Sequence, residues 1–210
     1  MKTDVVLASQ ESVKRRAVDV LSSGGLVAFP TDTVYGVAAL PWDVDAVAQL
    51  YEAKKRPCSK PIPLLLSDAE YVDQVAQPTS VVERLAERFW PGGLTLVLRK
   101  KERVPDVVTP RPTVAVRIPD LPLARAIIRE AGGVLAVTSA NISGQPSPVT
   151  AEEVVRQLGG RIELVVDGGT CPGGVASTIV DCTTSPPRIL RRGPISEGDI
   201  EAAASGSSLA

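Results

Sequence analysis

Two short stretches carry the residue types that could do chemistry. In AKKRPCSKP, Lys54, Lys55, Arg56 and Lys60 place four cations within seven residues, a cluster suited to a polyanion such as a phosphate chain. The same run could be a solvated helix end, where the helix dipole favours positive charge. Pro57, Pro61 and Pro63 stiffen it on either reading. In TSANISGQPSP, Thr138, Ser139, Asn141, Ser143 and Ser147 follow an apolar run and gather around Gly144. Hydroxyls, an amide and backbone N–H groups in such a loop can hold a phosphate or nucleobase, or they can satisfy an elaborate turn.

Weaker signals accompany these two. Arg117 lies inside the apolar run TVAVRIP, so its guanidinium needs either an internal partner or a carboxylate ligand to offset desolvation. Ser177 and Thr178 open STIVDC, and Arg191 and Arg192 close RILRRG. FPTDTVYGV is too polar for a core strand and too short for a linker; it is a turn or a seat for a small polar ligand. Polar and basic groups thus recur at strand ends, as in a cleft enzyme.

Composition narrows the chemistry. The chain has no histidine, which removes the commonest general base and every Ser-His or Cys-His nucleophile arrangement. Its three cysteines, Cys58, Cys171 and Cys182, have no C-x-x-C spacing, so they read as inert thiols in a reducing compartment rather than as a zinc or disulfide set. Neither a dinucleotide-binding G-x-G-x-x-G nor a P-loop is present, which leaves loop-borne lysine and arginine for any phosphate. A formal net charge of −1 lacks the footprint of a dedicated nucleic-acid binder, although a module in which local basic loops bind double-stranded RNA or tRNA stays open as an alternative function, and weak tRNA or RNA binding could coexist with catalysis. MKTDVVLASQ has no signal-peptide core, and no apolar run reaches the roughly 18 to 20 residues of a membrane span; a cytoplasmic protein is expected.

The elements that would position these groups follow from periodicity. Apolar spacing predicts helices over 12–21, 43–55 and 121–131, with Asp43 as an N-cap and Pro57 as the stop of the second. Capping boxes pair Ser67 with Glu70, Ser80 with Glu83 and Thr150 with Glu153, predicting a helix after each, and SEGDIEAAA reads as a last short helix. LVAF, PIPLLL, LTLVL, TVAVRIP, GVLAVTS, ELVVD, STIVDC and PRILRRG read as strands. With 44% hydrophobic and 3% aromatic residues, this pattern predicts an α/β (α+β) fold: one domain with a twisted mixed sheet flanked by helices. The expected domain spans 1–210, with an ordered core over about 9–200 and a frayed tail at 205–210.

GGLVAFPTDTVYGV, AKKRPCSKP, FWPGGLTLVL, TVAVRIPD, TSANISGQPSP, STIVDC and ILRRGPI stand in the order and spacing of a known family. The chain resembles the threonylcarbamoyl-AMP synthases, also called YrdC-like proteins, in their short single-domain form. That resemblance implies an open sheet with a central concave cleft. It also implies a reaction in which L-threonine, bicarbonate or CO2, and ATP give threonylcarbamoyl-AMP and pyrophosphate, toward threonylcarbamoyladenosine in tRNA, with Mg2+ accompanying ATP. Downstream threonylcarbamoyl transferase proteins are the implied partners. Related carbamoyl-adenylate chemistry is an alternative that the chain length disfavours.

By likeness, Lys54 and Arg56 are the catalytic pair and bind ATP together with Ser139, Asn141, Ser147 and Arg191. Thr31, Arg117 and Ser177 fall on the threonine-binding positions, with Tyr35 walling that pocket and Gly36 permitting a tight chain reversal. Lys60 and Ser67 stand where relatives often carry other residues, histidine among them, so no contact is carried over to either.

Overall fold

Strand alternation decides how the sheet is covered. The computed structural model describes residues 2–206. Its strands are β1 (Asp4–Leu7), β2 (Val27–Phe29), β3 (Gly36–Ala39), β4 (Leu64–Leu66), β5 (Ala76–Gln77), β6 (Leu94–Lys100), β7 (Thr113–Arg117), β8 (Val134–Ser139), β9 (Leu164–Asp167), β10 (Thr178–Asp181) and β11 (Arg188–Arg191). They form one mixed sheet in the order β1-β9-β2-β3-β8-β4-β7-β6-β10-β11, with β5 pairing on β6. Its helices are α1 (Val13–Ser22), α2 (Val44–Ala53), α3 (Val72–Val75), α4 (Ser80–Phe89), α5 (Pro122–Glu130), α6 (Ala151–Leu158) and α7 (Glu197–Ser205).

Because successive side chains of a strand point to opposite faces, the core divides in two. Ala28, Val37, Leu64, Leu96, Val116, Ala136 and Val180 belong to the larger cluster, into which α2, α4, α6 and α7 pack. Val27, Phe29, Ala38, Leu65, Leu135 and Val137 point the other way and meet Val13, Ala17 and Leu21 of α1 and Ala124, Ile127 and Ile128 of α5. These two helices cover this second face where β9, β2, β3 and β8 run and reach as far as Leu65 of β4. Over β7, β6 and β10 the same face bears Ala115, Arg117, Thr95, Val97 and Ile179, which line an open cleft.

The mixed sheet and flanking helices agree with expectation, and several details do not. The structured region starts before residue 9, since β1 pairs in parallel with β9 through Asp4↔Leu164 and Leu7↔Asp167. Its exposed Val5 and Leu7 give this edge strand no alternating signature. β3 escapes the periodicity because GVAA is buried on both faces. Ser67 and Ser80 cap nothing: the flanking residues are Asp68 before a single 3-10 turn at Ala69–Tyr71 and Thr79 before α4. Thr150 and Asp43 do cap, accepting from the backbone N–H groups of Glu153 and Ala46. At the C-terminus α7 continues through Ser205 to a left-handed Gly206, and the rest of the expected frayed tail, 207–210, lies outside the described residues.

Candidate active site

The cleft has a volume of about 350 Å³ and sits where the sheet face is uncovered. Thr31, Arg117, Ser177, Arg56, Ser139, Ser147 and Arg191 all line it. Lys54 and Asn141 do not, although each touches a residue that does.

The end of α2 explains how two cations one residue apart reach different places. Lys55 adopts φ 50, the left-handed region, while its N–H donates to Glu52 O and that of Arg56 donates to Tyr51 O. This 6→1 and 5→2 pairing is a Schellman ending built on lysine rather than glycine, so the helix stops before Pro57 and not because of it. Lys54, still in helical backbone and four residues after the buried Leu50, stays on the inward face of α2, 1% exposed, where Nζ donates to the backbone carbonyls of Ser139 and Asn141 at 2.5 Å each. Burial, and next the Arg56 charge, push the Lys54 ammonium down to about 7. Its two carbonyl partners favour the charged form and oppose that shift. Arg56 turns to the cleft, anchored through Nε to Lys60 O at 3.2 Å and through Nη2 to Pro61 O at 2.8 Å.

Ser139 and Asn141 stand on the loop that Lys54 holds. The Ser139 hydroxyl donates to Asn141 Oδ1 at 2.5 Å, and Asn141 Nδ2 donates to Ile142 O and Gln145 O. The asparagine side chain is thus spent on folding the loop.

Across the cleft, Arg117 is 5% exposed and fully engaged along one edge. Nε donates to Gly92 O at 2.8 Å, Nη1 to Thr33 Oγ1 at 2.8 Å and Nη2 to Asp32 Oδ1 at 2.6 Å. The internal partner that the apolar run demanded is therefore Asp32. Thr31 Oγ1 closes the adjoining turn, accepting from the N–H groups of Thr33 and Val34. Ser177 Oγ pairs with Thr95 Oγ1 at 2.7 Å and accepts from Arg191 Nη2 at 3.0 Å. Burial, and then the nearby Arg117 charge, lower the Arg191 pKa, so the space between the two guanidiniums favours an anion.

Residues 19–193 match the Sua5/YciO/YrdC family, described as "Telomere recombination". The Bacillus subtilis threonylcarbamoyl-AMP synthase is 43% identical over 202 residues, which cover 93% of this chain and 58% of the relative. A putative threonylcarbamoyl-AMP synthase of Mycobacterium tuberculosis is 40% identical, with 86% and 83% covered. The chain belongs to the Sua5/YciO/YrdC family. It superposes on the crystal structure of Pyrococcus abyssi Sua5 complexed with L-threonine with a TM-score of 0.93 and 41% identity, covering 96% of this chain and 61% of that one. The chain thus spans little more than half the length of the B. subtilis and P. abyssi relatives.

Within this Sua5/YciO/YrdC site, sequence reasoning missed Thr33, Thr95, Gly92 and the cleft-lining Arg111 and Leu65. Thr95 and Leu65 were legible in principle, since each shares its strand's cleft face with a neighbour at spacing two. Ser67 shares the parity of the cleft-lining Pro63 and Leu65 but follows the end of β4, where it is buried and lies off the cleft. Gly36 makes no chain reversal: it opens β3, and a Cβ there would sit 2.7 Å from Val137 Cγ1, so glycine permits close approach to β8. Tyr35 walls the site from a fully buried position, with Oη donating to Gly169 O at 2.7 Å and burial pushing its pKa up to about 12.

Among the described residues no three His, Cys, Asp or Glu side chains converge as a metal site. Nor is any helix among them long and apolar enough to cross a membrane.

Proposed function

We propose that this protein makes threonylcarbamoyl-AMP and pyrophosphate from L-threonine, bicarbonate or CO2, and ATP, supplying threonylcarbamoyl transferase proteins that modify tRNA in the cytoplasm. The observation that carries the proposal is the convergence of the Arg56, Arg117 and Arg191 guanidiniums on one hydroxyl-lined cleft. The names of the relatives and the threonine complex of P. abyssi Sua5 support it.

The chemistry asks for placement rather than for a protein nucleophile. Threonine's amine adds to the carbon of CO2 and loses a proton, giving a carbamate; from bicarbonate the same product forms with loss of water. A carbamate oxygen then attacks the α-phosphorus of ATP. As that bond forms, the bond from the α-phosphorus to the bridging oxygen breaks and pyrophosphate leaves. Fixed cations that neutralise phosphate charge and hold the two reactants in line supply most of what such a displacement needs. A histidine-free cleft is sufficient for it.

In this reading Arg117, Ser177 and the Thr31 turn form the threonine side. Arg191 lies between the two ligands. Arg56, Ser139 and Ser147 face the nucleotide, while Lys54 and Asn141 act through the loop that they hold. Mg2+ would arrive as the counterion of the triphosphate, coordinated by phosphate oxygens and water.

The test is to follow pyrophosphate release with ATP, Mg2+ and bicarbonate against each amino acid, then to measure L-threonine binding by calorimetry in Thr31→Ala and Arg117→Ala. Threonine-selective release and at least about tenfold weaker binding in Arg117→Ala are expected, the scale of a lost charged hydrogen bond. Release independent of threonine would refute the reaction. Unchanged affinity in both variants would remove these residues from the threonine side.

A further inference from the structure

Helix α6 lies outside the cleft, yet two of its side chains reach the loop that borders the nucleotide side. Glu153 Oε2 accepts from Val149 N–H at 2.7 Å. One turn later, Gln157 Oε1 accepts from Ile142 N–H at 3.0 Å and its Nε2 donates to Pro146 O at 3.0 Å. The spacing of four residues puts both on one helix face.

We infer that Gln157 is a positioning residue for the nucleotide side of the cleft, its single amide tying together both ends of the loop from Ile142 to Pro146. This inference rests on the function proposed above. A primary amide is the side chain suited to the task, since one bond needs an acceptor and the other a donor at adjacent atoms. The loop is already held from the inside by Lys54, through the carbonyls of Ser139 and Asn141 and through Ser143 N–H donating to Lys54 O at 2.8 Å. Gln157 holds it from the outside. Ser147 follows directly, between Pro146, which Gln157 binds, and Pro148, whose carbonyl accepts from Tyr35 N–H at 2.9 Å. Both backbone neighbours of Ser147 are therefore fixed, while Gln157's own bonds go to Ile142 and Pro146 and to none of Arg117, Ser177 or the Thr31 turn on the threonine side.

That separation gives a readout which general destabilisation would not reproduce. Binding of Mg·ATP and of L-threonine would be measured separately by calorimetry on the full chain, with thermal unfolding alongside, for the native protein, Gln157→Leu and Gln157→Glu. Gln157→Leu loses both bonds, and its affinity for Mg·ATP is expected to fall about five- to tenfold, with L-threonine affinity within about twofold of native. Gln157→Glu retains the acceptor for Ile142 N–H and loses the donor to Pro146 O, so it should fall between the two. Equal losses for both ligands, or unchanged Mg·ATP affinity in a folded Gln157→Leu, would overturn the positioning role and leave the proposed reaction standing. If the native chain binds no Mg·ATP, the proposed reaction fails and the positioning role falls with it.

Discussion

One face of the sheet is used in two ways. Over β9, β2, β3 and β8 it is sealed by α1 and α5, and its side chains are Val27, Phe29, Ala38 and Leu135, all fully buried. Over β7, β6 and β10 the same face has no helix above it and carries Arg117, Thr95 and Ile179 in identical alternation. Backbone geometry is shared, so the difference lies in what covers the strands. The boundary runs along β4 and β8, where Leu65 and Val137 belong both to the sealed cluster and to the cleft wall. A cleft made this way has a rigid, hydrogen-bonded floor, which suits a reaction that depends on placement.

The sharpest way to break this comparison is to damage the sealed half and ask whether the open half notices. Leu135 is 0% exposed and pairs with Leu65 in register, one alternation step from Val137. Leu135→Ala should lower unfolding free energy by about 2–5 kcal/mol, from lost transfer energy and a residual cavity. Urea unfolding measures that loss. In the fraction still folded, L-threonine affinity should stay close to native if the halves are energetically separate; a parallel loss of affinity would mean that α5 and the cleft are one unit.

A second, smaller effect lies on the open half. The Lys54 ammonium is held down to about 7 by burial and by Arg56, against 10.5 for the free side chain. Between those two values the unfolded chain binds the proton and the folded chain releases it, so unfolding takes up protons and stability rises with pH. The sign is that of a buried lysine: its penalty is fully present below about 7 and is relieved as pH climbs toward 10.5. Unfolding curves from pH 7 to 8.5 should therefore show a gain approaching about 1.4 kcal/mol per pH unit, absent in Lys54→Met. A neutral amine keeps two N–H donors, enough for both carbonyls, so the loop should keep its shape while the charge disappears. Identical slopes in the two proteins would show that Lys54 stays charged throughout.

How much of this was legible in the sequence depends on which interactions set each feature. Strands with alternation, such as TVAVRIP, gave both the element and the cleft-facing arginine, because periodicity of two is a property of the chain alone. The polar segments that meet at the cleft were visible as composition. What hid was pairing across long separations: Arg117 with Asp32, Lys54 with the carbonyls of Ser139 and Asn141, and Gln157 with Pro146. Each needs the sheet order before it can be seen. Local signals failed where tertiary packing outweighed them, as at Ser67, which has the capping-box spacing to Glu70 yet is buried at the end of β4 and caps no helix.

Lys55 supplies the smallest effect and the finest division between sealed and open surroundings. It alone among the described non-glycine residues has positive φ, and it is the pivot after which Arg56 turns toward the cleft while Lys54 stays on the buried face of α2. An L-residue in that region costs about 1–2 kcal/mol, whereas glycine adopts it freely. Glycine also adds conformational freedom to the unfolded chain, offsetting about 0.4–1 kcal/mol of the gain. Lys55→Gly should therefore stabilise by roughly 0.5 kcal/mol, about 1–2 °C in Tm for a chain of this size. Pyrophosphate release should be unchanged, since both hydrogen bonds of the helix ending come from backbone N–H groups that glycine retains. If release falls while Tm rises, the Lys55 side chain itself contributes to the nucleotide side, and the turn is more than a pivot.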